Sequence, residues 1–142
     1  MSLLVASLID GVNIENFDLF ENKKKKIRDI DVESSVKLII DKKFQSNMTA
    51  SFSRDIGNST TINGNNGKIL ITNNWNSDEG EIILNNEKKR IFKIKNDKNI
   101  YSREIDEISS NIIDNKKEAG FPGTKKKEIL INSKILDKWL NE

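Results

Sequence analysis

Between residues 32 and 71 the apolar positions recur mostly at every second residue, the period of a pleated strand with one buried face. Val32, Ser34, Val36, Leu38 and Ile40 alternate as far as Asp41, and Lys42 and Lys43 then make a turn. In the strand that follows, read as the central one, Phe44, Met48, Ala50 and Phe52 fall on one side and Gln45, Asn47, Thr49, Ser51 and Ser53 on the other. This second side is polar yet uncharged. A solvated strand face usually carries Lys and Glu, so a row of small hydrogen-bonding side chains reads as a surface that something else covers. Residues 54–58 supply the next turn, with Gly57 free to adopt positive φ, and residues 59–62 pair back. Asn63-Gly64-Asn65-Asn66-Gly67 predicts a hairpin into residues 68–72. Further turns at 78–80 and 85–88 lead into strands at 81–84 and 90–95. Links this short make the neighbours mostly antiparallel, because a parallel crossover needs about a dozen residues.

Helical spacing brackets these strands. Leu3, Leu4, Val5, Leu8, Ile9 and Val12 predict a short amphipathic helix closing near Gly11, so that residues 1–12 read as the remnant of a preceding helix. Residues 13–26 are polar, with Phe17, Leu19 and Phe20 as anchors. The four lysines at 23–26 read as a solvated loop, with a phosphate or nucleic-acid contact as the sharper alternative, and residues 27–30 as a short leading strand. Beyond the strands, Tyr101, Ile105, Ile108 and Ile112 line one face of a helix that Ser102 is placed to cap and Glu104 to favour electrostatically. Phe121-Pro122-Gly123 forms a rigid connector and Thr124 caps a last helix. There Ile131, Ile135, Leu136, Trp139 and Leu140 make the wide stripe that a helix lying on a sheet needs. The expected fold is α+β: a single domain over residues 1–142, with a largely antiparallel open β-sheet and helices packed on one face.

Composition narrows the chemistry. The 142 residues include 24 Lys and Arg, 22 Asp and Glu, and neither histidine nor cysteine. Disulfides, thiolate nucleophiles, zinc sites of the usual ligand types and imidazole acid–base catalysis are therefore excluded within this chain. Opposite charges are mixed along the sequence, so no global field favours nucleic acid or an anionic membrane. The apolar opening lacks a basic leader and reaches Asp10 too soon to span a bilayer. These features predict a cytoplasmic protein.

Individual candidates are few. Asn132 falls within the apolar stripe of the last helix, where a buried amide needs partners. Lys125, Lys126 and Lys127 oppose the macrodipole at that helix's start and read as solvated, an anion site being the alternative. Glu79 with Glu81, and Asp106 with Glu107, read as surface solvation, and Tyr101 as core packing. Arg54 and Asp55 read as an exposed turn pair, with a substrate contact at the sheet's rim as the sharper reading. Trp75 is a hydrophobic plug or an interface anchor.

Three stretches carry a family resemblance. Ser51-Phe52-Ser53 onward to Ile62-Asn63-Gly64-Asn65-Asn66-Gly67-Lys68-Ile69 resembles a strand, Gly-Thr-x-Gly turn and following strand, with Asn65 in place of threonine. Trp75 follows that hairpin. Phe121-Pro122 precedes a helix ending Lys134-Ile135-Leu136-Asp137-Lys138-Trp139. In this order, over residues 32–139, they resemble the C-terminal domain of the glucose-fructose oxidoreductase, inositol dehydrogenase and MocA family (Gfo/Idh/MocA). The resemblance implies a domain that follows a dinucleotide-binding Rossmann domain in an enzyme using NAD or NADP on sugars, cyclitols or related molecules. It also implies a homo-oligomer contact and one wall of the substrate pocket on the open sheet face, at Gln45, Asn47, Thr49, Ser51, Ser53, Arg54 and Trp75. The glycine-rich fingerprint, the Glu-Lys-Pro motif with its catalytic lysine and the His- or Tyr-bearing helix motif are absent from these residues. No catalytic, cofactor-binding or metal-binding residue is therefore assigned here, and the chain alone is expected to be inactive. The alternative is a freestanding binding or scaffold module of the same fold.

Overall fold

The computed structural model describes residues 1–74, 79–96, 99–118, 120 and 123–141. Along them run α1 (Ser2–Ser7), β1 (Phe17–Ile27), β2 (Ile30–Ile40), β3 (Phe44–Ser51), β4 (Ser59–Gly64), β5 (Gly67–Thr72), β6 (Glu79–Asn85), β7 (Lys89–Lys95), α2 (Ile100–Ile113) and α3 (Lys126–Asn141). The class is α+β and the pairing antiparallel, as the short links require. The strands form two sheets, ordered β1-β2-β3 and β4-β5-β6-β7, where the sequence predicts one. Two compact units result, Met1–Ile56 with Lys117–Glu142, and Gly57–Lys116. The division falls at residues 52–58, rich in turn formers. Beyond them β4 takes the partner that a two-residue Asn-Asn turn offers at little loop-closure cost.

In the first unit β2 is central and β3 lies at the edge, reversing the expected placement of residues 44–53. The β1–β2 hairpin closes on Arg28 and Asp29, at φ 50° and 65°, the doubly left-handed turn that matches strand twist. Residues 27–30 are thus this turn, with Ile27 paired to Ile30, rather than a leading strand. The lysines at 23–26 belong to β1 and not to a loop. Their strand is hidden in the sequence because most of it is exposed, so no alternation of apolar residues marks it. Between Phe20 and Lys23 the register slips at a β-bulge, with Glu21 at φ 54°.

The bulge serves α3. Asn22 donates from Nδ2 to the Trp139 carbonyl at 2.9 Å, and Lys24 from Nζ to the Leu140 carbonyl at 2.8 Å. Two carbonyls that the last helical turn leaves unpaired are thereby satisfied, one of them by a cation at the negative end of the dipole. Trp139 in turn donates from Nε1 to Ser34 Oγ at 2.7 Å, tying the helix to β2. At its start, Lys125 N–H bonds Glu128 Oε2 at 2.8 Å while Ile129 N–H bonds the Lys125 carbonyl. This is half of a capping box, so the cap is Lys125 with Glu128 and not Thr124.

The core consists of Ala6 from α1, Leu19 from β1, Val36, Leu38 and Ile40 from β2, and Ile131 and Ile135 from α3. Leu3, Val12, Ile14, Phe17, Phe44, Met48 and Trp139 pack around it. Ile131 and Ile135, one turn apart, set the inward line of α3. Leu136 and Leu140 are exposed, so the buried stripe is narrower than expected, and Asn132 is exposed rather than buried.

In the second unit the register places Ile62, Ile69, Ile71, Ile82, Leu84 and Phe92 on one side of the four-stranded meander. None of its described residues is buried. Asn99, not Ser102, caps α2, its side chain accepting from Tyr101 N–H at 2.9 Å, and Glu104 lies beyond the first turn. The helix closes with Lys116 N–H on the Asn111 carbonyl, Asn115 N–H on the Ile112 carbonyl and Asn115 at φ 53°, a Schellman motif. Tyr101, Ile105, Ile108 and Ile112 are exposed, Tyr101 by 66%, which overturns its reading as a core residue. Amphipathic spacing identifies the apolar side of a helix but not whether the chain covers it. Among the described residues no helix is long and apolar enough to cross a membrane.

Replacing Ile135 with Ala should destabilise the first unit by about 3 kcal/mol through lost burial and an unfilled cavity, read as a lower midpoint in urea unfolding followed by Trp139 fluorescence. Gly67 sits at φ 152°, and a Cβ there would stand 2.5 Å from the Asn85 carbonyl oxygen. Gly67→Ala should therefore loosen the β5–β6 pairing, seen as faster amide exchange in those strands.

Candidate interface on the first sheet

The side of the first sheet opposite its core is built by the odd-numbered residues of β2 and β3. Glu33 pairs with Ser51, Ser35 with Thr49, Lys37 with Asn47 and Ile39 with Gln45. Strand alternation thus brings Gln45, Asn47, Thr49 and Ser51 onto one face. Gln45, Asn47 and Thr49 are exposed and Ser51 is half-buried. Thr49 and Ser35 share a hydroxyl hydrogen bond of 3.0 Å across the strands. Ser53 lies just past β3, where its N–H donates to Ser51 Oγ at 3.3 Å and turns the chain away. Phe52, expected on the core side, leaves the sheet at this turn and is 95% exposed. Trp75 lies outside the described residues, as do Phe121 and Pro122.

The face is less neutral than the β3 sequence implies. Its neighbours on β2 are Glu33 and Lys37, and from β1 the register adds Asp18, Lys23 and Lys25. One strand's sequence reveals only its own row. Lys37 pairs with Glu21 of the bulge at 3.6 Å. Neutrality is thus confined to β3 itself, at the rim.

Arg54 sits at that rim, and its partner is Glu33. The guanidinium donates from Nε to Glu33 Oε2 at 2.6 Å and from Nη2 to Oε1 at 2.8 Å, a two-pronged pair. These hydrogen bonds dominate in lowering the Glu33 pKa from 4.5 to about 2, aided by the Ser51 hydroxyl and opposed by partial desolvation. Glu33 therefore keeps its charge at any ordinary pH. With its oxygens engaged it braces the end of β2 rather than offering a proton. Arg54, read from the sequence as the partner of Asp55, reaches 21 residues back along the chain instead.

Asp41, which sequence reasoning passed over, organises the opposite end. Its carboxylate accepts from Asn13 N–H at 3.2 Å, Asn16 Nδ2 at 3.2 Å and Lys43 Nζ at 3.1 Å. Asn13 N–H, then Lys43 and Asn16, hold its pKa below the usual carboxylate range. Lys43 also donates to the Gly11 carbonyl at 2.6 Å, fastening the segment after α1 to the β2–β3 turn. The only trace of this in the sequence is an acid placed directly after a strand and before two lysines.

Other candidates disperse. Lys127 pairs with Glu15 at 2.9 Å beside an open cavity of about 280 Å³ lined also by Phe17, Leu130, Ile131 and Lys134. Glu79 pairs with Lys95 at 3.6 Å. Among the described residues no group of acidic side chains is placed to hold a metal ion. Comparison of the chain with protein-family models, curated proteins and solved structures finds no match.

Because its folded pKa lies below its unfolded value, the stability that Glu33 contributes is fully present above about pH 4.5 and is lost as the pH falls toward 2. In a carboxyl-detected NMR titration Glu33 should titrate near 2, and Arg54→Gln should return it toward 4.5. An unchanged titration in the variant would show that Arg54 does not hold the carboxylate.

Proposed function

We propose that this chain is the substrate-side and oligomerisation domain of a cytoplasmic NAD(P)-dependent oxidoreductase of the Gfo/Idh/MocA family, acting on sugars, cyclitols or related small molecules. The observation that carries this reading is a succession: uncharged polar strand, Asn-Gly hairpin and closing Ile-Leu-Asp helix follow one another in the family's order. Two structural facts support it. The hairpin forms as β4 and β5, and α3 seats Ile131 and Ile135 in the core of a sheet whose other side presents hydrogen-bonding groups.

In this reading Gln45, Asn47 and Thr49 donate and accept toward substrate hydroxyls or a twin subunit, and the Glu33–Arg54 pair fixes the rim beside them. Hydride transfer needs a nicotinamide and a proton donor beside the substrate. Both would belong to a dinucleotide-binding domain encoded ahead of residue 1, and the nicotinamide would carry the redox chemistry. The domain described here would shape the pocket and join subunits.

The isolated chain should show no NAD(P)-dependent turnover. The coding DNA upstream should contain an in-frame Rossmann domain, and a stop codon immediately upstream would favour a freestanding binding or scaffold module. Thr49→Arg or Ser51→Arg should move the protein toward monomer in light scattering, whereas unchanged association would remove the sheet face as the interface.

A further inference from the structure

Phe52 N–H donates to the Val32 carbonyl at 2.8 Å, and this bond sets the parity of the whole β2–β3 ladder. In an antiparallel pair alternate residues direct both backbone groups toward the partner. With Phe52 bonded to Val32 and Phe44 paired to Ile40, the even-numbered residues of β3 face β2. The N–H and C=O groups of Gln45, Asn47, Thr49 and Ser51 consequently point out of the sheet along its free edge.

The edges of the two sheets differ in how they are guarded. β1 carries a bulge and four lysines, and β7 carries Lys89, Arg90, Lys93 and Lys95. Such charges and bulges keep edges from pairing. β4 is uncharged but only six residues long and ends in Gly64, and the Thr60 hydroxyl on it accepts from Asn74 Nδ2. β3 is eight residues long with no charge, no proline and no register shift. Ser2 Oγ reaches Ser46 Oγ at 2.8 Å and Met48 Sδ at 3.5 Å, both on even-numbered residues, whose backbone groups face β2. Among the described strands β3 is therefore the longest edge without charge or bulge.

The geometry points to a second copy of this chain as the occupant of that edge, with β3 pairing antiparallel to β3 of its twin about a two-fold axis through Asn47. Self-pairing suits the sequence. Gln45 would face the partner's Thr49, Phe44 the partner's Ala50 and Ser46 the partner's Met48, so no like charges meet between residues 44 and 50. The same operation on β7 would bring cations together. Three outward N–H groups per copy, at Gln45, Asn47 and Thr49, make about six backbone hydrogen bonds across the axis. On the core side the exposed Ala50 would meet the partner's Phe44, extending the apolar layer from one sheet into the next. This refines the self-association proposed above and is independent of the redox assignment.

The test is amide hydrogen exchange on the chain across a micromolar to millimolar concentration series, with sedimentation in parallel. Edge pairing predicts that Gln45, Asn47 and Thr49 amides slow as dimer forms. It also predicts that Asn47→Pro, which removes an outward N–H without touching the β2–β3 ladder, weakens the dimer about tenfold. Asn47→Ala, which keeps that N–H and removes only the side chain, should weaken the dimer less than Asn47→Pro does, and an equal loss in both variants would assign the effect to the side chain and overturn edge pairing. A dimer whose three edge amides exchange freely would overturn edge pairing while leaving the sheet-face interface standing. A chain that is monomeric throughout would overturn both. If Asn47→Pro fails to fold, the exchange series on the unaltered chain decides alone.

Discussion

The burial of Ile131 and Ile135 against Leu19, Val36, Leu38 and Ile40 is the interaction on which the first unit depends. Every fully buried residue among those described belongs to this one seam and the Ala6 that joins it. A three-stranded sheet alone leaves one face of aliphatic side chains in water, and α3 removes that face from solvent. The polar fittings serve the same end. The β1 bulge turns Asn22 and Lys24 onto the last carbonyls of α3, and Trp139 reaches Ser34 in return. With one side sealed by helices, the other is left to present Gln45, Asn47 and Thr49.

The open side is organised by its ends. At one rim Arg54 and Glu33 lock β2 to the chain leaving β3, and at the other Asp41 and Lys43 fasten the β2–β3 turn to the segment behind α1. Between these anchors β3 has neither ion pair nor bulge. The ends of β3 are thus held by Arg54, Glu33, Asp41 and Lys43 rather than by the side chains that the strand presents.

Strand period and turn chemistry made most of the fold legible. β2, β3, the Asn-Gly hairpin and the two long helices stand where alternation and helical spacing place them, because each has a strongly patterned apolar row. β1 was illegible since most of it is exposed and only Lys24 of its four lysines reaches α3, a use that looks like solvation in sequence. Ser102 and Thr124 were plausible caps, yet Asn99, three residues earlier, and the Lys125–Glu128 pair, one residue later, took those positions. Of the candidate site, the shared face of Gln45, Asn47, Thr49 and Ser51 followed from period two alone. Glu33 did not, because its importance rests on an arginine 21 residues away that only the folded turn delivers.

The first unit is discontinuous: its sheet lies within Met1–Ile56, and the helix that seals it within Lys117–Glu142. The Asn22–Trp139 bond joins positions 117 residues apart. During synthesis the sheet must therefore wait with its aliphatic face uncovered until the final helix emerges, while the second unit, contiguous in sequence, has all its pairings available earlier. Non-local closure of this kind slows folding and prolongs exposure of sticky surface. During that interval the two edges of the sheet differ: β1, with its lysines and bulge, resists pairing, whereas β3 has neither.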